Sequence, residues 1–427
     1  MRGILAAAVL TLASPLAAEP TLVGIARLPA DTFRNGPTSG QFIEAANGKT
    51  PPFIDKQPVQ GVSSVVAGDA PGTYLALSDN GFGTKANSAD YVLCVYHMTP
   101  DWEEQTVDWS LAFELSDPDG HVPWSIVAEG ETYPDSDIPV PAVIKEKRLL
   151  TGADFDVESM VRLPDGTFWL GDEFGPFLLH VSADGKLLEP PVELPGEGMH
   201  SPDHPTKDPA TAKIGRSAGF EGMSYAARDW GDDDLHVSLF PLLEKPLADG
   251  WQSVYLFFPI SPVDGSATWM LLERHFPLDD GATAIGESTG ISINDARASL
   301  VVERDSEEAG QARLKLLSLY RVANAKSRGD PDVGRLGQDQ SLPVKSPLAD
   351  LLDLADPDDL DGDGSDRFRF PYFTIESVVV VDERTVMVVN DNNYPFSDGR
   401  PEREGPDETE FILIRFDTPL AELGRDE

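Results

Sequence analysis

Carboxylates recur at two kinds of position in this chain. One series closes short apolar runs: Asp79 after Tyr74–Leu77, Asp172 and Glu173 after Thr167–Leu170, Glu303 after Val302, and Asp391 after Val386–Val389. The other opens runs rich in serine: Glu158-Ser-Met, Glu221-Gly-Met-Ser and Glu376-Ser, with Gly61-Val-Ser-Ser and Thr289-Gly-Ile-Ser as related starts. Glu158 and Asp172 are 14 positions apart, and Glu376 and Asp391 are 15 apart. Hard cations such as Ca²⁺ take roughly six to eight oxygen ligands from side chains of this kind. Asp79, Glu158, Asp172, Glu221, Glu303, Glu376 and Asp391 are therefore candidate metal ligands. Like charges gathered in one place demand a cation or a basic side chain, and Arg304 stands between Glu303 and Asp305. In a metal-assisted hydrolysis, Glu158, Asp172, Glu173, Glu221, Glu376 and Asp391 would serve as ligands or general base. Arg304 would clamp an oxyanion. The competing reading is ordinary turn chemistry, which also favours Asp and Asn at strand ends.

Other motifs are weaker. Asp359-Leu-Asp361-Gly-Asp363-Gly364 matches the first half of a calcium loop, but its twelfth position is Phe370 rather than glutamate. That excludes a complete EF-hand and leaves either a loose surface Ca²⁺ loop or a plain acidic turn. Gly286-Glu-Ser288-Thr-Gly290 has the form of a nucleophile elbow, yet no histidine follows His275, so the triad order of that motif fails. Pro202 and Pro205 break the helix that would align His200 with His204, which disfavours a zinc site. Cys94, the single cysteine, lies in an apolar run and reads as core. No intramolecular disulfide is possible.

The elements that must carry these residues are strands. Val62–Val66, Tyr74–Leu77, Thr167–Leu170, Leu235–Leu239, Val254–Phe257, Ser299–Val302 and Val386–Val389 are short β-rich runs bounded by Asp, Gly, Asn or Pro. Asp165-Gly166 and Asp184-Gly185 predict tight hairpins. Repeat starts at 61, 158, 221, 289 and 376 are separated by 97, 63, 68 and 87 residues, spacings that admit four-stranded blades with inserted loops. The expectation is an all-β fold, a single-domain β-propeller of six or seven blades over residues 19–427, with the strand-end carboxylates converging on one rim of the channel. Residues 118–141, 196–217 and 327–340 read as surface decoration.

Bulk charge narrows the partners. Asp+Glu 73 against Lys+Arg 33 gives a net charge of -40, which repels nucleic acid and anionic membranes and suits cations or a small-molecule ligand. Met1-Arg2, the apolar run Ile4–Leu12 and the small residues near Ala18 read as a cleaved secretory signal, residues 1–18. With no span long enough for a membrane helix, the expectation is a periplasmic or secreted bacterial monomer.

The stretch Asp154-Phe-Asp156-Val-Glu158-Ser-Met through Gly171-Asp172-Glu173-Phe174-Gly175-Pro176 resembles the signature of the phytase-like esterase family. Gly219-Phe-Glu221-Gly222-Met, Val302-Glu303-Arg304-Asp305 and Asn390-Asp391-Asn392-Asn393-Tyr-Pro395 extend the resemblance from about Gly61 to Phe416. It implies a propeller-like fold, bacterial export and an esterase or phosphoesterase activity. A non-catalytic binding propeller for a cation or small ligand is the alternative.

Overall fold

The computed structural model describes residues 19–229, 235–259, 267–293, 296–321 and 344–423. Residues 1–18 and the 327–340 stretch lie outside them. The chain is nearly all strand. β1 (Thr21–Leu28) is followed by a small ribbon, β2 (Phe33–Asn35) with β3 (Lys56–Pro58). Three of the next four strand groups are antiparallel four-stranded sheets on their own. They are β8 (Val157–Arg162), β9 (Phe168–Asp172), β10 (Phe177–Val181) and β11 (Val192–Glu193); β12 (Phe220–Asp229), β13 (Leu235–Leu243), β14 (Ser253–Phe258) and β15 (Thr268–His275); and β16 (Ala284–Ile293), β17 (Ala296–Arg304), β18 (Lys315–Tyr320) and β19 (Lys345–Asp350).

The first group, β4 (Val62–Ala67), β5 (Tyr74–Ser78), β6 (Cys94–Asp101) and β7 (Thr106–Glu114), belongs to a larger sheet. β22 (Thr374–Val380), β23 (Thr385–Asp391) and β24 (Thr409–Arg415) form the other half of that sheet, with β1 as their fourth strand. β1 runs antiparallel to β24 from Thr21↔Arg415 to Leu28↔Thr409 and touches β7 only at Arg27↔Thr106. β20 (Leu354–Ala355) and β21 (Arg367–Phe368) hang on its edge.

The innermost strands close a ring: β4 beside β8, β8 beside β12, β12 beside β16, β16 beside β22, and β22 back beside β4. The described residues therefore form a propeller-like ring of five blades, not the six or seven expected from sequence. Five apolar clusters fill the five blade interfaces. Leu77 meets Leu170 and Phe177 between the first two blades; Trp169 meets Phe220 and Leu239 at the next; Leu242 meets Val301 at the third; Leu300 meets Ile375 at the fourth; Met387 meets Ala76 at the last. Each core is shared by two blades because the faces of a sheet alternate.

Local turn chemistry follows the sequence. Gly166 (φ +87°) and Gly185 (φ +84°) take the left-handed positions of their hairpins, which glycine adopts without a Cβ clash. All seven β-rich runs are strands. The 118–141 segment is not decoration: Val122, Ile126, Val127, Tyr133 and Val140 are buried in the core between the first two blades. Residues 196–217 likewise bury His200 and Ile214.

Candidate functional site

Every innermost strand carries a β-bulge near its start. The register shifts lie between Val62 and Ser64, Val157 and Ser159, Phe220 and Gly222, Ile285 and Ser288, and Ile375 and Ser377. A bulge leaves a residue unpaired and re-aims its side chain. The residues so released are Ser63, Glu158, Glu221, Gly286 with Glu287, and Glu376. Four of the five blades thereby release a glutamate from the ladder, and Glu158, Glu221 and Glu376 face one another.

The second strands add a further layer at their ends: Asp79 just past β5, Asp172 and Glu173 at the end of β9, Glu244 just past β13, Arg304 closing β17, and Asp391 closing β23. Arg304 Nη2 lies 2.8 Å from Glu244, 3.5 Å from Glu376 and 3.7 Å from Glu221. All four side chains are buried. Lys245 Nζ reaches the other oxygen of Glu244 at 2.7 Å. Asp156, Glu158 and Glu173 form a separate group whose ligand oxygens all lie within 4.8 Å of one another.

Blade-to-blade contact sets these positions. Gly219 donates its amide to Glu173 Oε1 at 3.0 Å, and a Cβ there would fall 2.4 Å from the Glu173 Cα. Gly61 (φ +65°) joins the first blade to the last through Asn392 Oδ1 at 3.2 Å, and a Cβ would fall 2.0 Å from Asp79 Oδ1. Close approach requires both glycines, and the left-handed backbone requires Gly61 as well.

Crowding of buried carboxyls shows in their proton affinity. Burial, then the charges of Asp156, Glu221 and Glu376, hold Glu158 well above the usual glutamate range. Burial and Glu376 do the same to Glu221, and burial and Glu244 to Glu173. Asp79 is raised by burial, Asp391 and Asp156. Burial and Asp391 push Glu376 up to about 8 against the pull of Arg304. Burial raises Asp391 to about 6 although the Asn393 amide and Arg304 pull the other way. Asp156 lies beside Glu158 and Glu376 beside Glu221, and each such neighbour makes ionisation of the other carboxyl harder.

The sequence-level candidates divide on this geometry. Asp79, Glu158, Glu173, Glu221, Glu376, Asp391 and Arg304 are brought together. Asp172 is adjacent, but its two oxygens accept the Asp156 amide (2.8 Å) and the Gly175 amide (2.7 Å), so it is a turn anchor rather than a free ligand. Asp79 and Asp391 also accept turn amides, from Gly81 and Asn393 at 2.8 Å each. Glu303 is not in the cluster. It points to the opposite face of β17, where it accepts from Ser318 Oγ (2.8 Å) and pairs with Lys345 Nζ (2.8 Å). Asp359, Asp361 and Asp363 lie apart, in the exposed loop between β20 and β21. Their oxygens also fall within 4.8 Å of one another, and each accepts a backbone amide of its own loop. Ser288 of the false elbow is a buried strand residue.

Asp156, Glu244 and Glu287 were missed. Glu244 ends the apolar strand Leu239–Leu243, the same signal that marked Asp172 and Asp391. Glu287 lies two residues before the repeat start assigned to Thr289. Asp156 precedes its strand and carried no repeat signal.

A family model for phytase-like proteins, described as the esterase-like activity of phytase, matches residues 57–394. That span holds all five innermost strands. This chain belongs to the phytase-like family. No curated protein sequence matches this phytase-like chain. Among solved structures it is similar to an exo-1,5-α-L-arabinanase from a bovine ruminal metagenomic library, at 11% identity and TM-score 0.35, covering 84% of this chain and 93% of that one. The PQQ-bound aldose sugar dehydrogenase of Streptomyces coelicolor matches at 12% identity and TM-score 0.31, over 93% of this chain and 100% of that one. Trypanosoma rangeli sialidase matches at 11% identity and TM-score 0.35, over 92% of this chain and 58% of that one. Likeness at this level bears on neither reaction nor ligand.

Proposed function

We propose that this phytase-like protein is an exported hydrolase that cleaves a phosphate or other ester of a small molecule at the acidic mouth of the ring, with Ca²⁺ as its metal. One observation carries the reading: the oxygen-only group of Asp156, Glu158 and Glu173, in which Asp156 Oδ1 is buried without a hydrogen-bond partner. An oxygen set of this kind fits a hard cation, and a buried unpartnered oxygen is costly unless something fills it. Bound there, Ca²⁺ would supply charge neutralisation and polarise a phosphoryl or carbonyl oxygen.

The protein's own groups account for the rest. Glu376, pushed up to about 8 beside Glu221, holds a proton near neutrality and offers a carboxyl to donate, while Asp156, Glu158 and Glu173 would hold the metal. Arg304 is enclosed by Glu221, Glu244 and Glu376 and therefore positions carboxylates; a bound anion would have to displace one of them. The 1–18 segment supports export through its signal-like composition.

The purified protein is assayed against p-nitrophenyl phosphate, p-nitrophenyl acetate and phytate, with Ca²⁺ and with EDTA. Ca²⁺-dependent turnover of at least one substrate is the expected result. A melting temperature that responds to Ca²⁺ with no turnover of any would replace hydrolysis with ligand binding. Indifference to both would remove the metal as well.

A further inference from the structure

The ring has a second mouth. On the side where the innermost strands finish lies a cavity of about 510 Å³ bordered by all five of them. Its walls carry polar and apolar surface in nearly equal parts; Val66, Val161 and Val380 are among the apolar side chains, and Tyr225 and Thr289 lie at partly exposed positions. Among the described residues, one acidic and one basic side chain border it, Glu287 and Arg162. The Arg162 guanidinium is already engaged, 2.7 Å from Asp69 and over the Phe168 ring.

Glu287 sits at the boundary between this cavity and the carboxylates above. Its Oε1 accepts the amides of Met223 (3.0 Å) and Ser288 (2.7 Å), and its Oε2 accepts the Ser64 hydroxyl. Ser64 Oγ in turn accepts the Met160 amide at 3.0 Å. One hydrogen-bonded knot thus ties four innermost strands and separates the two halves of the channel. A carboxylate has about four acceptor positions, and three of those of Glu287 are filled. Burial pushes its carboxyl well above the ordinary range despite these donors. Among the described residues, no basic side chain is a hydrogen-bond partner of Glu287. A cationic donor would fill the remaining lone pair and offset the burial.

We propose that this lower mouth is a second ligand site, which takes a small primary ammonium on a short apolar body, with Glu287 accepting from the ammonium. The valines of the wall, Val66, Val161 and Val380, cover the body, and the excess negative charge of the chain favours the approach of a cation. The site is independent of the hydrolytic reading.

Benzylammonium and its neutral counterpart benzyl alcohol are the probes, titrated calorimetrically into the full protein with Ca²⁺ in excess to occupy the upper carboxylates. Benzylammonium is expected to bind one to one and at least about tenfold more tightly than the alcohol, the scale of a charge-assisted hydrogen bond. Thr289→Trp and Val66→Trp, two independent fillings of the cavity, each weaken benzylammonium by at least about tenfold, and Glu287→Gln brings the two probes within about twofold. Asp156→Asn, which alters only the upper group, leaves benzylammonium affinity unchanged. Absence of binding, equal affinity of the two probes for the native protein, or binding that survives whichever filling variant folds would overturn the proposal. Loss of binding in Asp156→Asn would move the ligand to the upper carboxylates and overturn it equally.

Discussion

Arg304 and Glu244 terminate the second strands of neighbouring blades and meet at 2.8 Å with both side chains buried. They lock the third blade to the fourth at the level where three bulged strands bring Glu158, Glu221 and Glu376 together. Burial works against the Arg304 charge, but Glu244, Glu376, Glu221 and Glu173 outweigh it and hold the guanidinium protonated. Removing one partner of such a buried pair leaves the others uncompensated, at a cost of about 3–5 kcal/mol. Arg304→Met is expected to lose that much stability in urea unfolding at pH 8. At pH 5 the loss shrinks, because protonated carboxyls no longer need the cation. A loss equal at both pH values would contradict this account.

Stability itself should fall as pH rises. Glu376 at about 8, Asp391 at about 6 and Asp172 at about 7 all lie above their unfolded values, so the folded protein binds more protons than the unfolded chain between those limits. Linkage then makes stability greatest near the unfolded carboxylate range, about pH 4, with progressive loss up to about pH 8. Melting temperature in EDTA, followed from pH 4.5 to 8.5, is expected to decline. Ca²⁺ reverses the decline at the alkaline end. A flat profile in EDTA would mean the carboxylates do not repel.

Much of this arrangement was legible in the residues, and the failures have physical causes. Strand-ending carboxylates marked Asp79, Asp172, Glu173 and Asp391, because a strand that stops at a polar residue looks the same in every blade. Glu303 and Arg304 could not be told apart, since neighbouring residues in a strand face opposite sides and only the register decides which faces the ring. The bulge of β16 spans two residues, Gly286 and Glu287, which shifted the apparent repeat to Thr289 and hid the glutamate. The long gap after Gly61, read as surface decoration over 118–141, holds core segments around Ile126 and Tyr133, because apolar residues scattered among Asp, Glu and Pro show no strand pattern. β1, distant in sequence, completes the last blade.

Gly61 tests the closure of the ring directly. Its φ of +65° disfavours any side chain, and a Cβ would strike Asp79 Oδ1. Gly61→Ala is expected to destabilise the protein by about 1–3 kcal/mol through the left-handed backbone, with further loss from the displaced carboxylate. Gly166→Ala has a similar φ, +87°, with nothing within 4 Å of the new Cβ, and so isolates the backbone part. Equal losses in the two variants would show that the contact with Asp79 does not matter.

The sharpest test of the acidic group is a variant that improves the apo protein while impairing the loaded one. Asp156→Asn removes a charge from a site where burial already raises the Asp156 carboxyl and Glu158 lies beside it. In EDTA at pH 8 the variant should melt higher than the native protein, because one repulsive carboxylate is gone. In Ca²⁺ the order reverses: the metal-induced rise in melting temperature shrinks, with Ca²⁺ affinity weaker by at least about tenfold for the loss of one charged ligand. Glu303→Gln supplies the contrast. It breaks the pair with Lys345 on the far face of β17, so it should lower stability in both conditions and leave the Ca²⁺ shift intact. If Asp156→Asn lowered the apo melting temperature and kept the full Ca²⁺ response, Asp156 would be a structural acceptor and the metal would have to bind elsewhere.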